Sequence, residues 1–251
     1  MHRDDLQRHC SHLLDSERFH DYCPNGLQVE GGETISVIAT ACTASRAAIE
    51  AACAGGAQAL LVHHGIIWGK AATPITGMLK QRLAPLLAAD CSLLAYHLPL
   101  DAHPQYGNNA VLLHELGLNV DGSFGLYHGQ NIGLFANLQT EMSLAELSQR
   151  LEVAVSHPVL HCPGANANVQ RIGMVTGGGQ SLLLDAAAAG CDVLITGEAS
   201  EQTWHEAQES GCHCLAAGHH ATESIAIHRL GASIAESFGL RHLPIDIPNP
   251  V

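Results

Sequence analysis

The chain has 251 residues, and its 11 Lys+Arg against 24 Asp+Glu leave a formal charge of −13. Hydrophobic residues reach 47% while charged ones stop at 14%, against roughly 25% in an average soluble domain, so a large core is available and much of the surface is expected to lie in subunit contacts. The acidic balance, with Lys70 and Lys80 as the only lysines, excludes a general nucleic-acid binder, and no apolar run approaches the ~20 residues of a membrane span.

In chain order, the first ten residues, MHRDDLQRHC, lack an apolar leader, and the reading is a cytoplasmic protein. Residues 35–40 (ISVIAT) predict a strand, 44–54 an Ala-rich helix stopped by Gly55-Gly56, and 59–62 a strand ending on His63-His64-Gly65, together a βαβ unit. A further strand at 93–96 runs into His97 and a proline-bounded loop carrying Asp101. Residues 132–136 predict a strand, 143–155 a helix opened by the capping box of Ser143 and Glu146, and 159–162 another strand. The βαβ pattern then returns: strand 172–176, helix 181–189, a break at Gly190, and strand 193–196 ending on Gly197-Glu198. Thr40 and Ser45 recur as Thr176 and Ser181 at an offset of 136, Gly56 and Leu60 as Gly190 and Leu194 at 134, and Leu94-Ala95 as Leu215-Ala216 at 121. The expected architecture is α/β, with two similar lobes related by internal duplication (1–124 and 169–251), a small α+β segment inserted at 125–168, and a metal site between the lobes. Nine cysteines with no C-x-x-C are expected to be small buried hydrophobes.

Histidine is the odd number: 18, more than Lys and Arg together. Three clusters follow predicted strands, where parallel α/β sheets gather their ligands. His63 and His64 can both face one metal if the backbone turns at Gly65. Asp101 is a carboxylate on a rigid loop, with His97 and His103 beside it as ligands, acid/base groups or plain loop residues. His219 and Glu223, four apart at the start of a helix predicted over 221–238, project from one face. Each cluster also has a plain reading: unrelated histidines, a turn or cap at Asp101, a polar first helical turn. Five such donors with a bridging carboxylate suit two divalent cations per subunit, of Zn, Mn or Fe type. The run Gly177-Gly178-Gly179 between a strand and a helix reads either as an anion cradle or as a tight turn; it lacks the lysine of a phosphate-binding loop.

On these residues the sequence resembles the GTP cyclohydrolase I type 2 homologue family, also called the Ngg-one-interacting-factor family, in its short bacterial form. The stretches that carry the resemblance are DYCPNGLQVEG (21–31), LVHHGIIW (61–68), YHLPLDAHPQYGNNA (96–110), VTGGGQS (175–181), LITGEASEQT (194–203), GHHATES (218–224) and IPNP (247–250). The resemblance implies a two-lobed fold, a toroidal homohexamer and a dinuclear centre held by His63, His64, Asp101, His219 and Glu223, with Glu223 bridging. It further implies a hydrolase of GTP cyclohydrolase type, acting on a cyclic C–N bond of a nucleotide- or purine-like small molecule. His97 is then the candidate general acid/base. The competing expectation is a non-catalytic metal-binding ring that interacts with proteins; a ring encircling DNA is disfavoured by the charge.

Overall fold

The computed structural model describes residues 1–69 and 74–251, so Lys70 lies outside the described residues. In chain order, helix α1 (Arg3–Leu13) leads to β1 (Gly26–Val29), β2 (Val37–Thr43), α2 (Arg46–Ala54), β3 (Ala59–His64), α3 (Gly77–Ala88), β4 (Ser92–Ala95) and α4 (Leu98–Ala102). Next come α5 (Asn108–Glu115), β5 (Gly122–Tyr127), β6 (Gln130–Ser143), α6 (Leu144–Val155), β7 (Leu160–Cys162) and β8 (Asn168–Val175). The chain closes with α7 (Leu183–Ala188), β9 (Val193–Thr196), α8 (Glu201–Ser210), β10 (His213–Ala216), α9 (His219–Phe238) and β11 (Arg241–Pro244). No helix among the described residues is long and apolar enough to cross a membrane.

These elements form two compact units, Met1–Leu100 with Ala226–Pro248, and Asp101–Ile225 with Asn249–Val251. The first holds a five-stranded sheet ordered β1-β4-β3-β2-β11, in which β1 alone is antiparallel to its neighbour. The second holds six strands ordered β5-β6-β8-β9-β10-β7. Its centre, β8-β9-β10, is parallel, and the flanking pairs are antiparallel. Each sheet is therefore built on a parallel triplet, β2-β3-β4 or β8-β9-β10, and β4 and β10 stand at the offset of 121 read from Leu94-Ala95. The repeated helix stop is also structural. Gly56 and Gly190 both adopt positive φ, +71° and +78°, which a β-carbon disfavours. The fold is α/β with two similar lobes.

Local chemistry explains the elements. Ser45 caps α2 by accepting from the Ala48 amide, and Ala48, Ile49 and Ala52 form its buried face. Leu144, Leu147, Leu151 and Val155 give α6 a helical stripe into a core with Val169, Ile172, Met174, Val193 and Leu215. Fully burying one such leucine stabilises by roughly 1.5–3 kcal/mol. Ser143 accepts from the Glu146 amide as expected, but the Glu146 carboxylate turns to Arg150 at 2.6 Å instead of closing the box. All nine cysteines are free thiols, eight buried and Cys53 half-buried. Burial pushes Cys10, Cys91, Cys212 and Cys214 up to about 12, so they stay protonated hydrophobes.

Within the second unit β6 pairs with β8 and β7 with β10, so strands of the 125–168 segment lie in the six-stranded sheet, and the compact units divide near residues 100 and 225. Two features differ from the sequence reading. The helix expected over 181–189 is split into a tight 3₁₀ turn at Gly179–Leu182 and the short α7. Asp101 sits in helix α4, not in a loop, because that helix receives a remote cap described below.

Candidate metal centre

The first unit contributes three imidazoles. β3 continues through both histidines, and the turn comes only after His64, so the two rings arise from successive strand positions. Their centroids are nevertheless 4.4 Å apart. Gly65 is needed for another reason: a β-carbon there would lie 2.2 Å from Gln28 Oε1, the oxygen that accepts the Ile66 and Ile67 amides and shapes the turn. His97 joins them from the end of β4, with centroids 5.2 Å from His63 and 5.8 Å from His64. Each of the three offers a nitrogen within 4.8 Å of the others. Cys42 Sγ, on β2, lies within the same distance of a His64 nitrogen.

Hydrogen bonds decide which nitrogens are available. His63 Nδ1 lies 3.0 Å from the Tyr96 carbonyl, which can only accept, so Nδ1 carries the proton and Nε2 is left as the lone pair. His64 Nδ1 meets the Thr43 hydroxyl at 3.0 Å. His97 Nδ1 lies 3.0 Å from Asp21 Oδ1. Such partners on the far ring nitrogen are the usual support of metal-ligating histidines. Burial pushes the Asp21 carboxyl up, but hydrogen bonds from His97, the Cys23 amide and Asn25 outweigh it and hold the group at about 2. Trp68 and Tyr22 stand edge-on to His97, at 5.3 and 5.0 Å, and both are exposed.

The second unit contributes carboxylates and one more imidazole. Asp101 and Glu223 are buried and offer oxygens within 4.8 Å of one another. Asn108 Nδ2 donates to Asp101 Oδ1 at 2.7 Å. His219 Nε2 lies 3.1 Å from Glu223 Oε2, and its Nδ1 lies 2.7 Å from Glu198 Oε1. The bond to Glu223, opposed by burial and reinforced by Glu198, raises His219 to about 9. Three glycines make this packing possible. The Gly197 amide donates to the Gly177 carbonyl at 2.8 Å and the Gly218 amide to the Gly197 carbonyl at 2.9 Å, which prolongs the ladder beyond β8, β9 and β10. A β-carbon on Gly177 would lie 2.0 Å from Glu223 Oε1. The Gly177 amide is taken by Thr222 Oγ1 at 3.1 Å, so at that position the run reads as a close approach to a carboxylate and not as an anion cradle. Gly178 is exposed, and Gly179 packs on Val175.

Among the described residues His103 falls in neither group of donors; its Nδ1 accepts the Gln105 and Tyr106 amides and closes a local turn. Sequence reasoning missed Asp21, Asn25, Cys42 and Glu198. Glu198 had a signal, since it follows a strand end, whereas Asp21 is 76 residues from His97 and had none beyond its motif.

The description Duf34/NIF3 (NGG1p interacting factor 3) matches residues 1–250. The chain belongs to the DUF34/NIF3 family. Among relatives of this family, the chain is 45% identical over 248 residues to the "GTP cyclohydrolase 1 type 2 homolog" of Allochromatium vinosum, covering 98% of this chain and 96% of that one. It is 43% identical over 251 residues to the protein of the same description in Escherichia coli, with full coverage of both. A solved structure described as "protein ybgI, unknown function" superposes with a TM-score of 0.94 at 43% identity and full coverage of both chains. The DUF34/NIF3 chain thus carries His, Glu and Cys groups that can bind a metal.

Proposed function

We propose that this protein is a dinuclear metal-dependent hydrolase of a nucleotide- or purine-like small molecule, opening a cyclic C–N bond. The name borne by its relatives, GTP cyclohydrolase 1 type 2 homolog, favours that class of substrate. On this reading His63, His64, Asp101, His219 and Glu223 would hold the metal. The donor set fits: neutral imidazole and carboxylate ligands suit Zn, Mn or Fe, and a buried carboxylate backed by a glycine where a β-carbon would collide is a prepared position. The observation that carries the reading is the pair of supported imidazoles, His63 and His64, whose Nδ1 atoms are held by the Tyr96 carbonyl and the Thr43 hydroxyl.

When bound there, two divalent cations would supply Lewis-acid chemistry, lowering the pKa of a water and polarising the electrophile. The chain's own residues do the rest. His97 holds or moves a proton through Nε2 as general acid/base, Glu198 orients the His219 ring, and Trp68 and Tyr22 offer exposed faces on which a planar heterocycle stacks. The reading places the protein in the cytoplasm as a homohexamer. Leu126, Val153, Leu160 and Leu184, each more than half exposed, support subunit contacts.

The test is purified, metal-loaded protein screened against GTP and related heterocycles, with metal content measured by mass spectrometry. Turnover that depends on Asp101 and Glu223 supports the proposal; turnover surviving Asp101→Ala or Glu223→Ala overturns the two-metal mechanism. The family description, which names an interacting factor, favours a second reading, a metal-binding ring that docks proteins. It predicts that chelation disperses the assembly, which size-exclusion chromatography would detect.

A further inference from the structure

We propose that Asp21 is a positioning residue of this site: it fixes the tautomer of His97 and leaves Nε2 as the basic nitrogen of the ring. The inference rests on the hydrolase reading only in giving His97 its proton-transfer role. Its basis is a count of donors around one buried carboxylate. Asp21, whose side chain is 2% exposed, receives four hydrogen bonds. Oδ1 is met by His97 Nδ1 at 3.0 Å and by the Cys23 amide at 3.0 Å. Oδ2 is met by the Leu98 amide at 3.0 Å and by Asn25 Nδ2 at 3.1 Å.

An ionised carboxylate only accepts, and the amide and carboxamide partners only donate at these atoms. His97 Nδ1 must therefore carry a proton, and in the neutral ring Nε2 carries none. The main chain of the same residue is held as well, since the His97 amide donates to Asn25 Oδ1 at 2.8 Å. The Leu98 amide opens α4, so one carboxylate both caps that helix and sets the imidazole beside His63 and His64. A carboxylate that locks a histidine tautomer in this way orients a proton acceptor without touching the substrate.

The experiment is neutron diffraction from perdeuterated crystals of the full chain at neutral pH. The expected map shows a deuteron on His97 Nδ1 and none on Nε2. A deuteron on Nε2, with or without one on Nδ1, overturns the proposal in the wild-type protein alone, so it is decided even if a variant fails to fold. In Asp21→Leu no acceptor faces His97 Nδ1, and the deuteron is expected to move to Nε2; a deuteron retained on Nδ1 alone overturns the proposal. Asn25→Ala keeps the carboxylate and is expected to keep the Nδ1 deuteron. Its loss there would assign the effect to the 21–25 loop as a whole and overturn a role specific to Asp21. Metal content of the same crystals tests the hydrolase reading separately, because the deuteron position needs no metal.

Discussion

The glycine run offers a graded perturbation of the cluster of Asp101, His219 and Glu223, with one methyl group added at each of three adjacent positions. At Gly177, φ is +63°, and the new β-carbon would lie 2.0 Å from Glu223 Oε1 and 3.0 Å from His219 Nε2. Holding alanine at positive φ costs roughly 1–2 kcal/mol. To regain an ordinary contact the carboxylate must retreat by roughly 1.4 Å, and overpacking a buried position costs about 1–3 kcal/mol more. Glu223 is only 3% exposed, so its flexible end has nowhere easy to go. Metal–ligand distances tolerate about 0.2 Å. Gly177→Ala is therefore expected to lower stability by roughly 2–5 kcal/mol and metal affinity by about 10–100-fold. Gly178→Ala is the control: φ is −79°, the nearest atoms are 3.9 and 4.0 Å away, and both properties should stay within about 0.5 kcal/mol of wild type or improve slightly. Gly179→Ala meets Val175 Cγ1 at 2.4 Å, so it should lower stability while leaving affinity largely intact. Urea unfolding and calorimetric metal titration read the two quantities independently. Gly177→Ala with wild-type metal affinity would refute the reasoning, as would equal losses at Gly177 and Gly178.

Other outcomes follow from the hydrogen bonds. Glu198→Ala removes the partner of His219 Nδ1 and should weaken metal binding by about 10–100-fold, measured by calorimetry; an unchanged affinity counts against that support. Because His219 is held protonated up to about 9 in the metal-free chain, metal uptake at neutral pH should release a proton. Titrations in buffers of different ionisation enthalpy will show it, and identical apparent enthalpies would contradict it. Asp21 sits at about 2 instead of 3.8, a depressed value whose stabilisation is complete above the unfolded pKa and lost as pH falls toward 2. It amounts to about 2 kcal/mol, and Asp21→Asn should flatten that part of the acid limb in urea midpoints measured from pH 6 to 2. Leu151→Ala, in the α6 core face, should cost about 2–5 kcal/mol with no change in metal affinity.

The parallel triplets were legible because each strand is a short, largely apolar run, and the repeat of Gly56 as Gly190 marks the same left-handed turn twice. Clustered donors at strand ends were legible for the same reason. What stayed hidden depends on partners remote in sequence. The Asp101 segment reads as a proline-bounded loop, yet it is helical because Asp21 caps Leu98 from 77 residues away. The 125–168 segment carries good local strand and helix signals, but nothing local says that β6 will run 14 residues and pair with β8. Successive histidines on a strand should point apart, and only the packed rings reveal that they stay 4.4 Å from each other.

The backbone rungs through Gly177, Gly197 and Gly218 have a practical corollary for anyone wishing to observe this site at work. Two of those rungs admit no side chain at all without backbone collisions or a carboxylate in the way, so a reporter cannot be attached there. One residue along, Gly178 is exposed and has open room around it. A thiol introduced by Gly178→Cys would be the most accessible in a protein whose nine native cysteines are buried or half-buried. A single dye or spin label could then watch the carboxylate cluster from its rim, with no native cysteine to remove first.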